Sequence, residues 1–94
     1  MEVDLRKKAE TFFDEEGRLK SYPAKKSLRV PVLARVAEGF TEGKDYTEKE
    51  VNAILRELIA FSDVELIRRE LIEAGLLVRL PDGSRYWKRG NHPL

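Results

Sequence analysis

Apolar residues recur at helical spacing in four stretches of the chain, and residue types that start or stop helices bound most of them. Leu5, Ala9, Phe12 and Phe13 form one stripe ahead of Gly17, which predicts an amphipathic helix over residues 2–15. In "RLKSYP" the Tyr22–Pro23 pair is extended, because the residue before a proline is pushed out of the helical region. A short strand is predicted over 18–23. From Ser27 onward, Leu33, Val36, Ala37 and Phe40 share a second helical face closed by Gly39 and Gly43. Pro31 is assigned there to the first turn, where backbone N–H groups lack partners anyway.

The third stretch carries the sharpest signal. Thr47 followed by Glu50 is a capping box, and Val51, Ile54, Leu55 and Leu58 make a narrow stripe behind it. Ser62 with Glu65 repeats the device, so a fourth helix is predicted from Ser62, with Val64, Ile67, Leu71 and Ala74 on one face and Gly75 as its stop. Two helices joined so closely must change direction sharply. "LLVRL" and "RYWK" flank "PDGS", and Asp82–Gly83 predicts a hairpin turn between two strands.

The expected order is therefore helix, strand, three helices, hairpin. After an extra N-terminal helix over 1–16, that is the winged-helix order, with a helix-turn-helix over 46–75 and a wing over 76–89. The expected class is α+β, a single small winged-helix-like domain over 1–94. At 41% hydrophobic, 94 residues suffice for one core and no more. The chain has no cysteine, so disulfides and thiolate metal sites are excluded. No apolar run approaches the roughly 20 residues that span a bilayer, and the charged first sixteen residues do not read as a signal peptide. A cytoplasmic setting is expected.

Over nearly its whole length the chain resembles a bacterial family of small domains of unknown function, found alone or behind the helix-turn-helix domain of transcription regulators. The shared pattern falls on Gly17, Leu19, Pro23, Tyr46, Thr47, Glu48, Glu50, Val51, Asn52, Asp63, Arg68, Arg69, Leu71, Arg79, Gly83 and Tyr86. The resemblance implies a regulatory context. Locally, "LIRREL" is similar to the "TIRRDL" stretch of the recognition helix in sugar-operon repressors of the winged-helix class, where the two arginines face DNA. Carried over, these are Arg68 and Arg69, one residue further from the capping serine than in those repressors.

Charge bears on this in two ways. Between 62 and 75 four acids, Asp63, Glu65, Glu70 and Glu73, outnumber Arg68 and Arg69. Spacing puts Glu65, Arg69 and Glu73 four apart on the outward face, where they can pair with one another. The bases concentrate elsewhere: Arg18, Lys20, Lys25, Lys26 and Arg29 with no acid over 18–29, and Arg79, Arg85, Lys88 and Arg89 against Asp82 over 79–90. If the first strand pairs beside the hairpin, both groups share one edge, fit to track a phosphate backbone; otherwise they are scattered solubilising charges. Tyr22, Tyr86 and Trp87 are either core and edge packing or stacking platforms for bases. Strand alternation puts Tyr86 and Trp87 on opposite faces. Asn52, beside the packing stripe, is expected to donate to a buried backbone carbonyl or to the neighbouring loop rather than to contact a ligand.

Chemistry for catalysis is missing. The single histidine, His92, lies two residues from the end, and no nucleophile stands beside a base. No enzyme activity, cofactor or metal is expected. The expected partner is double-stranded DNA, contacted by Arg69, Arg68, Arg85, Lys88, Arg89, Arg79, Lys25, Lys26 and Arg29. The alternative is association with a second copy or a regulatory protein through Leu66, Ile72 and Trp87.

Overall fold

The carboxylate of Glu50 accepts the Thr47 backbone N–H at 2.8 Å, and the Thr47 hydroxyl accepts the Glu50 N–H at 3.1 Å. This reciprocal pair opens helix α3 (Glu48–Leu58) at the predicted place. The computed structural model describes residues 5–90. Around α3 it places α1 (Leu5–Glu10), α2 (Lys26–Ala37), β1 (Asp45–Tyr46), α4 (Val64–Glu73), β2 (Leu77–Arg79) and β3 (Tyr86–Lys88). The strands form an antiparallel sheet in the order β1-β3-β2. The chain is thus a small α+β structure with four helices and a three-stranded antiparallel sheet among the described residues.

The predicted stripes are the core. Val51 and Leu55 of α3, Ile67 and Leu71 of α4, Leu77 of β2 and Tyr86 of β3 are all at most 1% exposed, against Val32 and Val36 of α2. No polar or charged residue among those described is fully buried. Gly39 lets the end of α2 meet α3, since a Cβ there would stand 2.6 Å from Leu58 Cδ1. Gly75, at φ +76°, ends α4 in the left-handed conformation, and the Leu76 N–H returns to the Leu71 carbonyl.

Four expectations require correction. The first helix stops at Glu10 rather than 15, because the Asp14 carboxylate accepts the N–H groups of Glu16 and Arg18 and folds "DEEGR" into a tight turn. Residues 1–4, where that helix was expected to begin, lie outside the described residues. Second, the 18–23 segment makes no strand of the sheet. Only Leu19 bridges, to Phe13 on one side and Ile59 on the other, and the strand beside the hairpin is β1, too short to show an alternating pattern. Third, Pro31 is the sixth residue of α2, not in its first turn. It forgoes the hydrogen bond to the carbonyl of Ser27, an exposed residue open to hydration. Fourth, Asp63 rather than Ser62 caps α4, its carboxylate accepting the Leu66 N–H at 3.1 Å, so no capping box forms with Glu65.

The caps supply a direct test. Thr47→Ala and Asp63→Ala should each lower unfolding free energy by about 1 kcal/mol, while Ser62→Ala should leave it nearly unchanged. Urea midpoints at constant slope measure all three.

Candidate nucleic-acid interface

The short turn between α3 and α4 and the left-handed stop at Gly75 set α4 beside the hairpin, and a groove of about 340 Å3 lies between them. Glu65, Arg68, Arg69, Ile72 and Glu73 line its helical wall, and Arg79 and Tyr86 its sheet wall. The register explains the sheet side. Tyr46, Tyr86 and Arg79 are paired across the three strands and so share one face, while Asp45, Trp87 and Val78 share the other.

The arginines of the groove differ in state. Arg69 and Arg79 are exposed and make no hydrogen bond or ion pair with the described residues. The pairing expected of Arg69 with Glu65 and Glu73 does not form, because Glu65 leans the other way, 3.9 Å from Arg68 Nη2. The Arg68 side chain is only 16% exposed. Its Nη1 donates to Asn52 Oδ1 on α3, and its Nη2 lies 4.0 Å from Glu48 Oε1. The same Glu48 oxygen accepts the Tyr86 hydroxyl at 2.8 Å. Asn52 thus accepts from a charged side chain on α4, where it was expected to donate to a backbone carbonyl or the neighbouring loop. Glu48, in the first turn of α3, is also the acceptor for the hairpin tyrosine. Their spacing of four residues on α3 was the available signal.

The other basic residues are spread over three places. Arg85 Nε sits 3.5 Å from Asp45 Oδ2, and the half-buried Lys88 reaches the Phe40 carbonyl at 3.4 Å. Arg89 is exposed, with its guanidinium close to Gly75 at the end of α4. Lys25 and Lys26 are exposed at the start of α2. Arg29 folds back onto its own loop, donating to the carbonyls of Pro23 and Ala24, 5.6 Å from the centre of the Tyr22 ring. The 22–29 segment meets α4 through Tyr22, whose hydroxyl donates to Glu70 at 2.8 Å. It therefore does not share an edge with the hairpin by strand pairing.

Tyr86 is buried and Trp87 half-buried, on opposite faces of β3 as alternation requires. Trp87 lines a concavity of about 240 Å3 with Asp45, Leu80 and Arg85. Leu66 and Ile72 are half-buried and packed on the chain's own core. Among the described residues no group of three or more acidic, histidine or cysteine side chains is placed to hold a metal, and no helix is long and apolar enough to cross a membrane. His92 lies outside the described residues.

Together these features define a small α+β domain built around a helix pair and a hairpin. The profile of a bacterial family described as "uncharacterized protein conserved in bacteria (DUF2087)" matches residues 18–88, and the chain belongs to that family. Neither a curated protein nor a solved structure matches it.

The Tyr22–Glu70 contact predicts an alkaline transition. Burial, and then the hydrogen bond to the Glu70 carboxylate, push the Tyr22 hydroxyl up to about 12 from its usual 10. The folded state therefore holds this proton more tightly than the unfolded state, so the stabilisation is present in full below pH 10 and lost as pH rises to about 12. Tyrosinate absorbance should show a late-titrating group that Tyr22→Phe removes, and urea titrations should show a shallower alkaline loss in that variant.

Proposed function

We propose that the chain is a winged-helix-like domain of a bacterial transcription regulator that binds double-stranded DNA with α4 and the β2-β3 hairpin. The observation that carries the reading is the pair of unpaired arginines, Arg69 and Arg79, on opposite walls of one groove. An unpaired exposed guanidinium keeps all its donors for a guanine edge or a phosphate. The fold order supports the same reading: from α2 onward it is helix, strand, helix, helix and hairpin, with β1 beside β3, a winged-helix order in which the strand follows the first of the three helices rather than preceding it as expected. Capping by Asp63 supports it further. Counted from that cap, Arg68 and Arg69 lose the one-residue offset from the repressor stretch that counting from Ser62 introduced.

The acids decide which part of the duplex α4 faces. Glu65 and Glu73 line the groove beside Arg69, and carboxylates repel phosphate but accept from the cytosine amino group. In this reading α4 meets base edges, and the hairpin, with Arg79, Arg85 and Arg89, follows the backbone, as winged helices do. Lys25 and Lys26, exposed at the start of α2, add phosphate contacts in this reading.

Fluorescence anisotropy with labelled random duplex, at about 50 and 200 mM salt, tests the proposal. Binding that weakens steeply with salt is expected, and Arg79→Ala should reduce the salt slope by about 1. An isolated chain that binds no duplex at the lower salt would sink the reading. A second reading, association between copies, is favoured by the sheet face carrying half-buried Trp87, Val78 and Leu80. It predicts a dimer mass in light scattering that Trp87→Glu halves; a monomeric wild-type chain removes it.

A further inference from the structure

We infer that Arg68 is a positioning residue, which locks α4 to α3 and the hairpin so that Arg69 faces Arg79 across the groove. The inference rests on the DNA-binding reading for its function and on the following geometry for its mechanism. Arg68 belongs to α4, Asn52 and Glu48 to α3, and Tyr86 to β3. One guanidinium engages both α3 residues: Nη1 donates to Asn52 Oδ1 and Nη2 stands 4.0 Å from Glu48 Oε1, with Glu65 Oε1 of its own helix 3.9 Å from Nη2. Glu48 Oε1 in turn accepts the Tyr86 hydroxyl at 2.8 Å. A single chain of polar contacts therefore runs from α4 through α3 to the hairpin.

That arrangement needs the planar fork of arginine. Its two terminal nitrogens point in different directions and serve an amide and a carboxylate pair at once, whereas the single ammonium of lysine presents a point charge. Arg68 and Arg69 are neighbours on a helix, about 100° apart around its axis. Fixing the first against α3 therefore fixes the rotation of α4 and turns the second toward the opening. Arg68 is 16% exposed and its charge is already answered by two carboxylates. It has little left to offer a phosphate. Arg69 has no such partner, and Arg79 feels only the charge of Asp82, without an ion pair.

The experiment uses the full chain and a labelled duplex across a salt series. Asn52→Ala and Tyr86→Phe leave every charge in place, and each should weaken binding by about 2- to 30-fold, the range of mutations that act through coupled networks, with the salt slope unchanged. Arg68→Lys should bind as poorly as Arg68→Gln. The opposite pattern overturns the assignment: Arg68→Lys near wild type, Arg68→Gln losing about one unit of salt slope, and Asn52→Ala silent would make Arg68 a phosphate contact. Trp87, the only tryptophan, sits next to Tyr86 in β3, so its indole N–H reports the hairpin by NMR. Asn52→Ala should shift that signal; shifts confined to α3 and α4 would show that no coupling reaches the hairpin. This readout holds even if the wild-type chain binds no duplex, which would end the DNA reading and leave the coupling to be decided by the indole signal alone.

Discussion

Helix α3 ends in the interior, and its last carbonyls must find donors there; the placement of everything after it depends on how they do. The N-terminal segment supplies them. The Leu19 N–H donates to the Leu58 carbonyl, Arg18 Nη2 to the Ile59 carbonyl, and the Ala60 N–H returns to Leu19. Leu19 itself is fully buried and bridges Phe13 on its other side. Unsatisfied buried carbonyls would cost about as much as lost hydrogen bonds, so a stretch far away in sequence holds the turn between the two helices. Among the described side chains, Arg18 Nε is buried without a hydrogen-bond partner. With the turn held, α4 can leave at the angle that brings Ile67 and Leu71 into the core and the groove arginines to the surface.

The same principle, that polar groups near the interior must be answered, sorts the arginines by task. Arg18 ends a helix through one nitrogen, while Arg29 closes a loop and Arg68 braces two helices against a strand through two each. Of the exposed arginines without such partners, Arg69 and Arg79 stand on either side of one groove, whose two carboxylates, Glu65 and Glu73, keep it from being a plain phosphate trap. Net charge, at +1 for the chain, carries none of this information. The local balance of paired and unpaired guanidinium groups carries it.

Much of this architecture was legible in order of residues. The capping box at Thr47 and Glu50, the stripes through Leu55 and Leu71, the stop at Gly75 and the turn at Asp82–Gly83 each act within a few residues, through hydrogen bonds or backbone conformations that neighbours alone can enforce. Where two local devices compete, the pattern misleads. Ser62 and Asp63 are adjacent capping residues, and only the chosen backbone path shows that Asp63 reaches the Leu66 N–H. Asp14 likewise ends a stripe that periodicity alone would extend.

Tertiary structure decided what depends on residues distant in the chain. The strand beside the hairpin is Asp45–Tyr46 and not the 18–23 segment, because pairing follows which backbone the folded helices leave next to β3. Arg68 and Arg69 are indistinguishable as neighbours in a motif, yet one is drawn to Asn52 and Glu48 and the other left unpaired. Sequence determined the presence of the helices, the capping box of α3 and the hairpin turn, since those rest on short-range hydrogen bonding and apolar period. The structure alone assigned the work of Arg18 and Arg68, since that rests on which acceptors, 41 and 16 residues away, come within reach.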